Sequence, residues 1–490
     1  SSCGVTRNLL GPRRNGRLFG DAASYMRVVL VGVTASLALL LGTGPSVASA
    51  AGGWSAPVVI GHSQADTGYS SSTIATSADG ASVAVWSAYQ DHATRFLAAY
   101  QAPGKSWGAP HVLASGIHDG RIFAGISATG RATVVWTTAI GSGSVHYAVH
   151  TASGWSANRS VAGTTSLDAT TFTMAPSGYG VLAGSKSVKI RPTKPALSIA
   201  YVRKLTPSGK WGPALRVSRN TLPTYQGKTH AGTGAMDVQA AIDDVGTVIA
   251  TWGWSYFQDP SGAYTRLQRN NVGAGGKVGT VVNLKPSPTF SLGVQSVQMS
   301  PSGAAAIVWT DDEGKTAYAL VKTPTGPWMS TTRDISSLGI GDRATYVVQN
   351  DSLAAYWTKA AAGSGSTTVT LQSATYSAGT WSAPTTLATE TLTSSDEIRG
   401  DELNAATSGG ATYLSWGTQD VTAFLADEPS TTAALTAITP DGVSTQTYPV
   451  GTHAVAISAG GVHASALIAR DVTGAVAPDL TAVTRDATAR

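Results

Sequence analysis

Two short elements alternate along this chain, and their alternation restricts the fold more than any other feature. The first is a polar or glycine-containing turn followed by an alternating run that ends in tryptophan. It reads SADGASVAVW (77–86), SATGRATVVW (127–136), DDVGTVIATW (243–252), SPSGAAAIVW (300–309) and SGGATYLSW (408–416). Weaker copies are APSGYGVLAG near 178, NDSLAAYW (350–357) and SAGGVHASALI (458–468). A turn before an alternating run is the pattern of a β-hairpin.

The second element opens on tryptophan: WSAPVVI (54–60), WGAPHVL (107–113), WSANRSV (155–161), WGPALRV (211–217), WMSTTRDI (328–335) and WSAPTTL (381–387). KVGTVVNL (277–284) and GVSTQTYPV (442–450) fill the two remaining places. A proline shortly after the tryptophan in four copies suits an edge strand, whose outward amide needs no partner. Between the elements lies another strand, as in TRFLAAYQ (94–101), SVHYAVHT (144–151), LSIAYVRKL (197–205), KTAYALVK (315–322) and VTLQSATY (369–376).

Each period therefore supplies four strands, and four-stranded units repeated around an axis make an all-β propeller. Both elements occur eight times, so eight blades are expected, with seven the alternative if one weak copy is irregular. An outer strand without a blade opens the series at Trp54, and the final unit, from His453 to about Ala487, lacks one. Supplying it from the N-terminal side would close the ring. Six tryptophans (86, 136, 252, 309, 357, 416) end second strands and six (54, 107, 155, 211, 328, 381) start outer strands, which assigns twelve of the thirteen to packing and leaves Trp254 without a repeat role.

With 12% charged residues and 55 glycines the chain is too apolar for a disordered polymer and too glycine-rich for a helical bundle. Its net charge of +5 is misplaced for nucleic acid, because Arg7, Arg13, Arg14, Arg17 and Arg27 precede residue 50 with only Asp21 to offset them. The apolar run 28–41 after Met26 and Arg27, followed by Ala48-Ser49-Ala50, has the order of a secretory signal and is too short to span a bilayer. The expected division is upstream sequence over 1–25, a signal peptide over 26–50 and one propeller domain over 51–490, secreted and free of the membrane after cleavage. Cys3 is the only cysteine, so the mature chain would hold no disulfide and no cysteine-based metal site or nucleophile.

The repeat resembles those of secreted propeller proteins from high-GC Gram-positive bacteria and covers nearly all of 54–490. The connections Gly104-Lys105-Ser106-Trp107, Ser208-Gly209-Lys210-Trp211 and Gly379-Thr380-Trp381 also resemble the Asp-box of sialidases, in a degenerate form that lacks the aspartate. The sialidase resemblance implies a glycoside hydrolase with three arginines on a substrate carboxylate, a tyrosine–glutamate nucleophile pair and an aspartate acid/base. Arg121, Arg191, Arg266, Arg343 and Arg399 lie near connections, but none falls in a family motif.

The remaining candidates each have a plainer structural reading. Asp311-Asp312-Glu313 could ligate calcium but reads better as a solvated turn, and Asp396, Glu397, Asp401 and Glu402 read better as surface charge than as an acid/base pair. His146 and His150 share a strand face and are expected as partly buried side chains rather than metal ligands. No phosphate loop, HExxH or G-x-S-x-G motif is present, so no catalytic residue, metal site or cofactor is assigned. Function in repeat proteins sits on connections that depart from the repeat. The longest departures, 219–234 and 253–266, bring Tyr225 and His230 beside Trp254, Tyr256, Phe257, Asp259 and Tyr264. Aromatic faces next to a carboxylate suit sugar rings, so the expectation is a non-catalytic binding protein for glycan or an extracellular surface polymer. The same aromatics would otherwise fill the propeller mouth as a small core.

Overall fold

The computed structural model describes residues 53–62, 72–90, 93–117, 120–139, 143–189, 196–219, 224–225, 228–229, 234–258, 262–284, 293–310, 317–329, 333–334, 338, 344–349, 352–362, 366–377, 379–392, 398–420, 431–449, 452–470 and 479–486. The expected leader, with Cys3, lies outside them.

The described strands are antiparallel meanders in chain order. The first is Ser72–Thr76, Ser82–Gln90, Ala93–Gln101 and His111–Ile117, and the pattern recurs until the inner strand has appeared eight times. The later inner strands are Ile122–Ile126, Leu167–Met174, Gly234–Ile242, Gly293–Met299, Ala344–Gln349, Ile398–Ser408 and Thr452–Gly460. The third and fourth meanders share one bridge, a parallel pairing of Ser198 with Gly234. Each inner strand touches the next in sequence, and Thr452–Gly460 touches Ser72–Thr76, which completes the circuit of a β-propeller. In the last meander the outer place is held by Val58–His62, paired antiparallel with Asp479–Asp486.

Packing follows from this arrangement. Every residue of the second strand Ala132–Thr137 is buried, because a neighbouring meander covers each face of the sheet. The hydrophobic clusters accordingly lie between meanders. Val135 and Val145 of the second pack with Phe172 and Leu182 of the third, and Trp86 of the first packs with Leu467 and Leu480 of the last.

The two tryptophan sets differ in depth. All six second-strand indoles are at most 2% exposed, whereas five of the six outer-strand ones are only partly buried and Trp54 alone is buried. Several second-strand indoles are covered from the third strand. Trp252 Nε1 donates to Gln268 Oε1 at 2.9 Å, Trp357 Nε1 donates to Gln372 Oε1 at 3.0 Å, and Trp309 stacks on Tyr318.

Glycine is required where the ring meets itself. At Gly461, with φ +57°, an added Cβ would lie 2.6 Å from the Ala78 carbonyl oxygen, and one at Gly460 would overlap the Ser77 backbone. The glycine of the turn motif thus serves the seam between last and first meanders as well as the hairpin.

Candidate functional site

The inner strands enclose a channel of about 710 Å³. Its described lining includes Ile74, Val297, Val347, Gln298, Gln349 and Ser458, with residues of the turns that join first to second strands. No arginine, lysine, aspartate or glutamate is among the described lining residues. The amides and hydroxyls are engaged in joining neighbouring meanders. Gln298 Oε1 accepts from Val348 N at 3.1 Å while its Nε2 donates to the Tyr346 carbonyl, Gln349 Nε2 donates to the Ala411 carbonyl at 3.3 Å, and Ser458 Oγ accepts from Thr76 N at 2.9 Å. The channel wall is therefore a hydrogen-bonded seam of neutral groups.

The sequence candidates map to the opposite end of the strands. In a meander, the hairpin from second to third strand emerges at the end away from the first-to-second turn, and the channel lies by the latter. Val248–Gln258 and Gly262–Val272 pair along their whole length, with Tyr256 opposite Tyr264 and Phe257 opposite Ala263. Trp254 also pairs with Ala235 of the inner strand, so a three-strand ladder extends to this level.

Trp254 is 6% exposed and belongs to the cluster containing Leu197, Ala235 and Val238. This corrects the reading of Trp254 as an open binding face in favour of the small core, because the indole joins a cluster that includes Leu197 and Ile199 of the third meander. Thr224–Tyr225 and Lys228–Thr229 form a two-stranded ladder, which places Tyr225 by backbone only. Asp259 and His230 lie outside the described residues, as do Asp311, Asp312, Glu313, Asp396 and Glu397, while Asp401 and Glu402 fall in the inner strand Ile398–Ser408.

Of the arginines considered for carboxylate binding, Arg121 is committed to a salt bridge with Asp168 at 3.2 Å and to the Ala169 carbonyl, joining the second and third meanders. Arg266 sits opposite Trp254 in the ladder. Arg191 and Arg343 lie outside the described residues, and Arg399 is placed by backbone alone in Ile398–Ser408.

His146 and His150 are four residues apart on Val145–Thr151, about 13 Å at strand rise, too far for one metal ion. His146 stacks on Trp136, and His150 stacks on Tyr100 at 3.8 Å with Trp155 against its edge. Burial, then the nearby His111, lowers the His150 pKa, and its buried Nδ1 has no hydrogen-bond partner. Burial lowers that of His146. A histidine whose folded pKa lies below its unfolded one stabilises the fold above the unfolded value, about 6.5, and loses that contribution as pH falls toward the folded value. Melting from pH 7.5 to pH 5 should therefore lower Tm, and His150→Gln should lose less Tm over that interval than the wild type. An equal loss in both would contradict the assignment to His150.

No family model and no curated relative matches the sequence. Among solved structures, the chain is similar to a protein of unknown function from Dyadobacter fermentans, at 10% identity over 88% of this chain and 98% of that one, with a TM-score of 0.39. It is similar to an ulvan lyase bound to a glucuronate–sulfated rhamnose ligand, at 8% identity over 81% and 96% of the two chains, with a TM-score of 0.42. It is also similar to a Penicillium chrysogenum α-L-arabinanase complexed with arabinobiose, at 12% identity over 62% and 93%, with a TM-score of 0.34. Similarity this loose transfers no activity.

Proposed function

We propose that this protein is a secreted, non-catalytic propeller that binds glycan or a cell-surface polymer through the loop face opposite the described channel. The observation that carries this reading is the paired arm formed by Val248–Gln258 and Gly262–Val272, anchored at its base by buried Trp254 and bringing Tyr256 opposite Tyr264. An arm whose backbone is paired to its last residues needs little backbone ordering on binding, and aromatic faces stack on the C–H faces of sugars. The resemblance of the repeat to secreted propeller proteins of high-GC Gram-positive bacteria supports export. The reading calls for no cofactor and no nucleic acid.

The burial of Trp254 decides the test. Replacing it would open a core cavity, so the substitutions belong at Tyr256 and Tyr264. A Tyr256→Ala, Tyr264→Ala double variant should keep the wild-type melting profile and lose binding on a glycan and cell-wall array by about tenfold or more, as expected for two stacking contacts of about 1 kcal/mol each. A wild-type protein that binds nothing on such arrays, or a variant that binds equally well, overturns the reading.

A further inference from the structure

A second cavity lies in the seam between the second and third meanders and has no part in the reading above. Its volume is about 330 Å³, within the range of about 300–1,000 Å³ usual for small-molecule sites. Leu182, Lys186 and Val188 come from the second strand of the third meander, Tyr201 and Arg203 from its third strand. The ladder pairs Leu182 with Arg203 and Lys186 with Ile199, and alternation along both strands puts Lys186, Tyr201 and Arg203 on one face. Leu167 adds to the apolar lining, and Gly163 and Thr164 of the second meander's last connection close the opposite side. Thr164 is fixed there, its Oγ1 donating to the Val161 carbonyl at 2.6 Å.

The charge in this cavity is unbalanced. Arg203 Nε donates to the Gly212 carbonyl at 2.6 Å, but its Nη1 is buried with no hydrogen-bond partner. Among the described residues no carboxylate pairs with Arg203 or Lys186, and none lines the cavity. Burial lowers the Arg203 pKa, as expected for a guanidinium held without a counter-charge. A guanidinium with a buried, unmet donor is costly, and an anion brought into the same cavity relieves that cost. The apolar part of the lining selects against a bare inorganic ion. We infer that this cavity binds a small organic anion with a carboxylate or sulfate head, held by Arg203 and Lys186, and an apolar body against Leu167, Leu182, Val188 and Tyr201.

Calorimetric titration of the secreted chain with cyclohexanecarboxylate, cyclohexyl sulfate and uncharged cyclohexanol tests this. At least one of the two anions should bind, about tenfold or more tighter than the alcohol, and the preferred anion identifies the head group. Lys186→Gln and Arg203→Gln should each weaken the preferred anion by about fivefold or more, as loss of a charge-assisted hydrogen bond requires. Both residues are only partly buried, but Arg203 also holds the Gly212 carbonyl, so Lys186→Gln decides the matter if Arg203→Gln fails to fold. Absence of binding by both anions at millimolar concentration, equal binding of the alcohol, or a Lys186→Gln variant with undiminished affinity overturns the inference. Tyr256 and Tyr264 belong to the fourth meander, whereas the described lining comes from the second and third, so their double variant should bind the anion normally, which separates failure here from failure of the glycan reading.

Discussion

Removal of residues 51–62 is expected to lower the melting temperature by about 10 °C or more and to drive the protein into aggregates, the largest effect foreseen for any change in this chain. Three kinds of contact would be lost together. Val58–His62 forms the outer strand of the last meander, and without it Asp479–Asp486 becomes an open edge. Ser55 exchanges hydrogen bonds with Thr484, its N donating to the Thr484 carbonyl at 2.7 Å and its Oγ accepting from Thr484 N at 3.0 Å. Trp54, 6% exposed, lies edge-on to Tyr413 at 6.1 Å, and Ile60 is buried with Trp86, Ile74 and Leu480. Emptying a buried tryptophan site costs about 3–5 kcal/mol and an isoleucine site about 2–5 kcal/mol, against a total stability of about 5–15 kcal/mol for an ordinary domain. The chain over 63–490 should be compared with the chain over 51–490 by calorimetry and light scattering. An unchanged melt and a monodisperse truncated protein would show that the ring does not depend on this strand.

The second large effect separates the two tryptophan sets. Trp357→Ala should destabilise the fold by about 3–5 kcal/mol, because the indole is 0% exposed and its loss also leaves Gln372 Oε1 without its 3.0 Å donor. The outer-strand Trp381 is only partly buried, packs at a tilt on Tyr376 and has no hydrogen-bond partner for Nε1, so Trp381→Ala should cost about 1–2 kcal/mol. Urea unfolding of both variants measures the difference. Equal losses would mean that the outer layer carries as much of the packing as the inner one, contrary to its exposure.

The propeller was legible before any coordinates because its units are local. A turn with glycine, an alternating run and a terminal tryptophan lie within ten residues, and period-2 alternation assigns the faces of a strand without knowledge of its neighbours. Even the weak copies APSGYGVLAG and NDSLAAYW fall in second strands, Gly180–Lys189 and Ser352–Ala362. The spare outer strand at Trp54 could be counted in the same way.

Site chemistry was less legible, since it depends on which strand lies alongside. Trp254 has no place in the repeat and reads as a loop aromatic, yet it is buried in a cluster that draws on the neighbouring meander through Leu197 and Ile199. Nothing in the spacing of Gln298, Gln349 and Ser458 marks their partners, and only the neighbouring meanders show them to be bonded across seams. Lys186 and Arg203 are seventeen positions apart with nothing in their spacing to join them, and hairpin register brings both to one cavity that a loop of the preceding meander closes. The sequence by itself determined the repeating strand, its turn and its buried tryptophan, because those rest on interactions within a few residues. Only the tertiary structure decided which polar groups are satisfied and which cations are left without an anion, because that balance is struck between strands far apart in the chain.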